Sequence, residues 1–150
     1  MKNFEQIRAK NALAKAQSIG KGKDGGDNVA KKVPVMILDN GILAAAAFAL
    51  EKKKDNNGKD EEKNKSARKD NDEETNKGKG YADVFDAVIE HLADQEIALL
   101  DKTMLLDDKT KQLKGFIDHL AGVSSDELRR ITAETMAYLN YLRRFVNPKK

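Results

Sequence analysis

An all-α fold, a single compact bundle of five to six helices, is what the 150-residue chain predicts. Tyr81, Val84, Phe85, Val88, Ile89 and Leu92 recur at i, i+3, i+4, i+7, i+8 and i+11, the spacing of one helix face. A second arc of the same period is formed by Leu128, Ile131, Thr132, Thr135, Tyr138, Leu139, Leu142 and Phe145. Strand alternation is sustained nowhere, and no hairpin dipeptide separates two β-branched runs.

The first helix is expected from about Phe4 to Ile19, where Gly20 stops it. The segment that follows, GKGKDGGDN, holds four glycines in nine residues and reads as a basic loop. It lacks the GxxxxGK[ST] spacing of a phosphate cradle, and no strand precedes it. On the helix itself, Arg8, Asn11, Lys15 and Ser18 form a polar stripe between Phe4 and Ile7 on one side and Ala12 and Ile19 on the other. Cations within apolar ground need a partner.

Pro34 suits the first turn of a second helix, continuing through PVMILDNGILAAAAFAL and interrupted only by Asp39 and Asn40. Apolar nearly all round, it reads as the buried helix, with Gly41 admitting a close neighbour. Residues 51–80 carry ten basic and nine acidic residues and one apolar side chain, Ala67. Such a segment buries too little to offset ordering, so it is expected as a solvated insertion, disordered or a frayed helical extension, between core parts 4–50 and 81–146 of one domain.

The helix from Tyr81 sets Asp83, Asp86 and Glu90 opposite its apolar face. A further helical piece is expected from about Gln95 to Leu106, with Ile97, Leu100 and Met104 together. Asp107 or Asp108 caps the next helix, which gathers Leu113, Phe116, Ile117 and Leu120 and ends at Gly122. Ser124 and Glu127 have capping-box spacing at the start of the last helix, which is expected to run to Pro148.

Catalytic chemistry finds little support. His91 and His119 lack a second ligand at i+4 and read as surface or boundary residues. Capping accounts for Asp107, Asp108 and Ser124. No catalytic residue, metal ligand or cofactor is expected. Without cysteine there is neither a disulfide nor thiolate chemistry, which is compatible with a reducing cytoplasm. Glu5, Arg8 and Lys10 take the place of a signal peptide's apolar run, and no stretch approaches the roughly 20 apolar residues of a membrane span.

Charge is unevenly spread. Residues 1–38 hold eight basic and three acidic residues, 81–122 four and nine, and 123–150 six and three. Basic ends and an acidic middle favour contact with nucleic acid, self-association of opposite faces, or both. On the last helix Arg129, Arg130, Arg143 and Arg144 project opposite Leu128, Leu139 and Leu142, with Asn140 among them and Glu134 as the counter-charge on that face. Two pairs of guanidiniums roughly 20 Å apart suit a phosphate backbone. Aromatic platforms are scarce, so backbone tracking fits better than base readout.

QIRAKNALAKA, VPVMILDNGILAAAAFALE and RRITAETMAYLNYLRRF, in that order, resemble the small subunit of the type III-B CRISPR effector, the Cmr or RAMP-module complex. The insertion at 51–80 is longer than the family's loop there. The resemblance implies a compact helical protein without catalytic activity, several copies of which stack along a filament. Its partners would be backbone subunits carrying guide RNA and a large polymerase-like subunit, and its basic surface would line the channel of target RNA paired with guide. Lys10, Lys15, Lys31, Lys32, Arg129, Arg130, Arg143 and Arg144 are the candidate RNA contacts, with no membrane involved. For the first helix two readings stand: Arg8, Asn11 and Lys15 face RNA or a stacked neighbour, or Arg8 pairs internally with an acid such as Asp39 while Lys15 snorkels to solvent. The alternative function is a helical protein-protein adaptor that self-associates through acidic and basic faces and binds no nucleic acid.

Overall fold

A computed structural model describes residues 3–19, 26–62 and 68–146, with side chains described for 3–19, 29–52 and 80–146. Six α-helices, one 3₁₀ turn and no strand occur among the described residues, so the all-α expectation holds. They are α1 (Phe4–Ala16), α2 (Gly26–Asn40), α3 (Ile42–Glu62), α4 (Arg68–Leu92), the turn Lys102–Met104, α5 (Lys109–Gly122) and α6 (Ser125–Phe145). Helix α4 is central and packs against all five others, α1 lies along α6, α2 touches α3 and α6, and α3 touches α5.

The two arcs that identify the fold meet in the middle. Val84, Phe85, Val88, Ile89 and Leu92 of α4 and Ile131, Tyr138, Leu139 and Leu142 of α6 are buried together with Phe116 and Leu120 of α5. Each large apolar side chain removed from water in this way contributes about 1.5–3 kcal/mol. The expected caps are present. Asp108 accepts from the backbone N–H groups of Thr110 (3.0 Å) and Lys111 (3.2 Å), and Ser124 Oγ from that of Glu127 (3.1 Å). Asn3 and Gln6 add a reciprocal capping box at the start of α1.

Four boundaries differ from expectation. Helix α1 ends at Ala16, although Ile19 beyond it is still buried. Helix α2 starts at Gly26, inside the expected loop, which places Pro34 in its interior and removes the N–H that would have met the Ala30 carbonyl. The expected helix 34–50 is two helices, because Gly41 has φ +93°. Its N–H donates to the Ile37 carbonyl (2.8 Å), closing α2 with a left-handed cap, and its carbonyl accepts from Ala45 N–H (3.1 Å) to open α3. A Cβ at Gly41 would meet nothing within 4 Å. Backbone conformation, and not a close neighbour, requires this glycine.

The fourth difference is at Gln95–Leu106, which is no helix beyond the single turn at Lys102–Met104. Ala98 sits at φ +55°, Asp94 Oδ1 accepts from Glu96 N–H (2.8 Å), and the Leu92 carbonyl accepts from both Leu99 and Leu100 N–H groups. Local bonds of this kind compete with a helical ladder. Ile97 and Leu100 are buried all the same. In the charged segment 51–80 the backbone is helical to Glu62 and from Arg68. Residues 63–67 and the side chains of 53–79, on which the solvated-insertion expectation falls, lie outside the described residues, as does Pro148.

Candidate nucleic-acid interface

Arg8, Asn11 and Lys15 of the α1 stripe face inward, and their partners are acids of α4 and α6 and Asp94 just beyond α4. Arg8 Nε and Nη2 donate to Glu134 Oε2 and Oε1, both at 2.8 Å, a bidentate pair in a half-buried seam. Arg8 is thus an internal partner, but of Glu134 and not of Asp39. Asn11 Nδ2 donates to Asp94 Oδ2 (3.1 Å) and lies 2.9 Å from His91 Nδ1. Since that amide nitrogen can only donate, His91 Nδ1 accepts and its proton is on Nε2, which donates to Glu134 Oε2 at 2.8 Å. Lys15 Nζ donates to Glu90 Oε2 (2.9 Å) and stands 3.7 Å from Asp86 Oδ2.

Two expectations are corrected by this seam. His91 is neither surface nor boundary: it is 2% exposed and stacked on Tyr138, with ring centroids 4.2 Å apart. His119 is half-buried. Glu134, expected as counter-charge on the arginine face, is 6% exposed and turned to Arg8 and His91. Burial pushes its carboxyl up, but the hydrogen bonds of Arg8 and His91 and the charge of Arg8 outweigh burial and hold it at about 2. The Glu134 hydrogen bond in turn raises the Arg8 guanidinium, against the opposing effect of burial. In sequence, both misplaced residues carried a signal. His91 lies within about 20° of Val84 around α4, and Glu134 is three residues after Ile131 and four before Tyr138.

The outer surface is different. Arg129, Arg130, Arg143 and Arg144 are exposed on α6, as are Lys10 on α1 and Lys31 and Lys32 on α2. At about 100° per residue, Arg143, Arg129, Asn140 and Arg144 fall on one arc of roughly 100°, with Arg130 at its edge. Arg143 shares a groove with Lys31, Pro34, Val35, Leu38 and Met136, which brings two of the expected contacts from separate helices together. Arg130 borders a second groove with Phe4, Arg8, Ile97 and Leu99. The arginine ridge therefore runs between α1 and α2. Lys10 projects from α1 about 200° from Arg8, and Lys15 is drawn into the inner seam.

The two ends of the ridge are not equivalent. Arg129 pairs with Asp126 (2.7 Å) and Arg130 with Glu127 (3.8 Å), both one turn back on the same exposed helix. Such surface pairs are worth about 0–1 kcal/mol and give way readily to a phosphate. Arg143 Nη2 donates to the neutral Asn140 amide oxygen at 3.3 Å. Among the described residues no group of three His, Cys, Asp or Glu is placed to hold a metal ion, and no helix is long and apolar enough to cross a membrane.

A family model for a CRISPR-associated protein (Cas_Cmr5) matches residues 4–148. No curated protein and no solved structure matches the chain.

Proposed function

Because this chain belongs to the Cas_Cmr5 family of CRISPR-associated proteins and so is a subunit of a Cmr complex in CRISPR defence, we propose that it is the complex's non-catalytic small subunit. In this reading copies stack along the effector, and the α6 ridge holds the backbone of guide-paired target RNA. The observation that carries it is the arginine arc: four guanidiniums on one exposed face of α6, none of them used by the internal seam. A ridge of guanidiniums with Tyr141 as its one aromatic neighbour on α6, at the edge beside Arg130, binds phosphates and leaves sequence to base pairing.

The adaptor reading loses part of its support. Asp86 and Glu90 of the acidic middle are matched inside the molecule by Lys15 of the basic N-terminal segment, so part of the opposition between the two is satisfied within one chain.

The test is fluorescence anisotropy of single-stranded RNA across a salt series. Changing all four arginines to alanine is expected to reduce the slope of log affinity against log salt by about 3, at roughly 0.7 per phosphate on a single strand. Arg143→Ala with Arg144→Ala is expected to take the larger share, since Arg129 and Arg130 already have carboxylate partners. Homopolymers of different base are expected to bind alike. Equal slopes for wild type and the quadruple variant would remove the ridge from the RNA path.

A further inference from the structure

The α2–α6 groove is apolar with a basic rim, and the loop before α5 sets exposed leucines beside carboxylates. In the groove, Pro34, Val35, Leu38 and Met136 form an apolar floor about 290 Å³ in volume, with Lys31 and Arg143 at its rim. Val35 is 55% and Leu38 75% exposed, which leaves this floor open on the isolated chain. Adjacent large aliphatic side chains left in water mark an interaction surface.

Elsewhere on the molecule, Leu105 (37%) and Leu106 (41%) are also exposed, and Asp107 and Asp108 follow them directly. From Asp101 to Asp108 there are three carboxylates and one ammonium, Lys102, a net charge of −2. This knuckle is held in place. Leu106 N–H donates to Gln112 Oε1 (2.7 Å), the Leu106 carbonyl accepts from Lys109 Nζ (3.1 Å), and Asp108 caps α5. Gln112 is itself buried and anchored by donating to Asp86 Oδ1 (2.6 Å). Two leucines backed by carboxylates are thus presented on a preorganised loop, which lowers the ordering cost of docking.

We infer that the groove of one copy receives the Leu105–Leu106 knuckle of the next, with Asp107 meeting Lys31 at the rim and Arg143 left to the ridge. In this arrangement each copy gives its knuckle to one neighbour and its groove to the other, so the contact is heterologous and propagates as a chain of copies. A loop seated in a groove of this size buries less than the about 1,200 Å² of a stable interface, so the isolated contact is weak and gains strength when neighbouring subunits hold the copies in line. This inference rests on the reading of the chain as a stacking subunit and specifies which faces stack.

Sedimentation velocity on the full chain, up to about 1 mM, tests it. Wild type is expected to show open-ended, concentration-dependent association. Leu38→Asp and Leu106→Asp, both at exposed positions, are each expected to weaken that association at least about tenfold. An equimolar mixture of the two variants is expected to recover a heterodimer, because one retains its knuckle and the other its groove, and to stop there. A wild type that remains monomeric, a mixture that does not recover, or a variant that associates as wild type does would overturn the assignment and leave the groove to another subunit or to RNA. Leu106 lines neither groove beside the arginine ridge, so the salt slope of RNA binding is expected to be unchanged in Leu106→Asp. Complementation without RNA binding would refute the RNA reading alone, and RNA binding without complementation would refute the stacking faces alone.

Discussion

Glu134→Ala is expected to lower the stability of the protein by roughly 3–5 kcal/mol, the range for removing one member of a buried ion pair. The substitution deletes the acceptor of both Arg8 bonds and of the His91 Nε2–H. His91, almost wholly enclosed, has no route to water for that proton, while Arg8 is partly exposed and recovers some hydration, which places the loss toward the lower end of the range. For a chain of this size the melting temperature is expected to fall by about 10 °C. Arg8→Ala acts in the same direction, by leaving the carboxylate with His91 alone. Thermal melts of both variants check this, and unchanged melting would mean that Arg8 and Glu134 do not meet in solution.

Acid is expected to produce a related loss. The folded carboxyl of Glu134 lies at about 2, below its ordinary value of 4.5, so the folded state binds its proton less readily than the unfolded chain does. Its contribution is therefore complete above pH 4.5 and disappears as the pH falls from there toward 2. The depression corresponds to on the order of 3 kcal/mol. Urea midpoints measured at several pH values between 6 and 2.5 are expected to decline steeply in wild type and less steeply in Glu134→Gln, which has no proton to take up at that position. Parallel declines in the two proteins would show that Glu134 is not depressed.

What was legible in the sequence, and what was not, divides along the range of the interactions. The apolar faces of α4 and α6 and the caps at Ser124 and at Asp107 or Asp108 are local patterns and readable directly, though only the structure assigns the second cap to Asp108. The break at Gly41 was only half legible: Asn40-Gly41 marks a possible stop, but the apolar residues continue on both sides and suit one long helix equally well. Ala98 at φ +55° could not be read, because alanine carries no signature of a left-handed conformation and ordinarily favours helix. Least legible was the inner seam. Arg8 and Glu134 are 126 residues apart, and nothing local to either names the other. Helical phase alone could have located Glu134 and His91 near apolar neighbours.

The seam also changes which cations matter for function. Helix α1 presents Arg8 and Lys15 to acids of α4 and α6, so those charges hold the bundle together. Lys10, Lys31 and Lys32 on the outer surface, with the four arginines of α6, remain accessible to a polyanion. Substitutions in the first set are expected to act through stability, and those in the second through binding. Thermal melts beside anisotropy titrations would separate the two.

The most direct test of this account is photo-crosslinking in the reconstituted effector complex, with thiouridine-substituted target RNA paired to its guide and the crosslinked peptides of this subunit identified by mass spectrometry. The account predicts crosslinks along α6 between Arg129 and Arg144, joined by Lys32 of α2. Crosslinks confined to α4 or α5, or a subunit that remains uncrosslinked while its neighbours react, would contradict it.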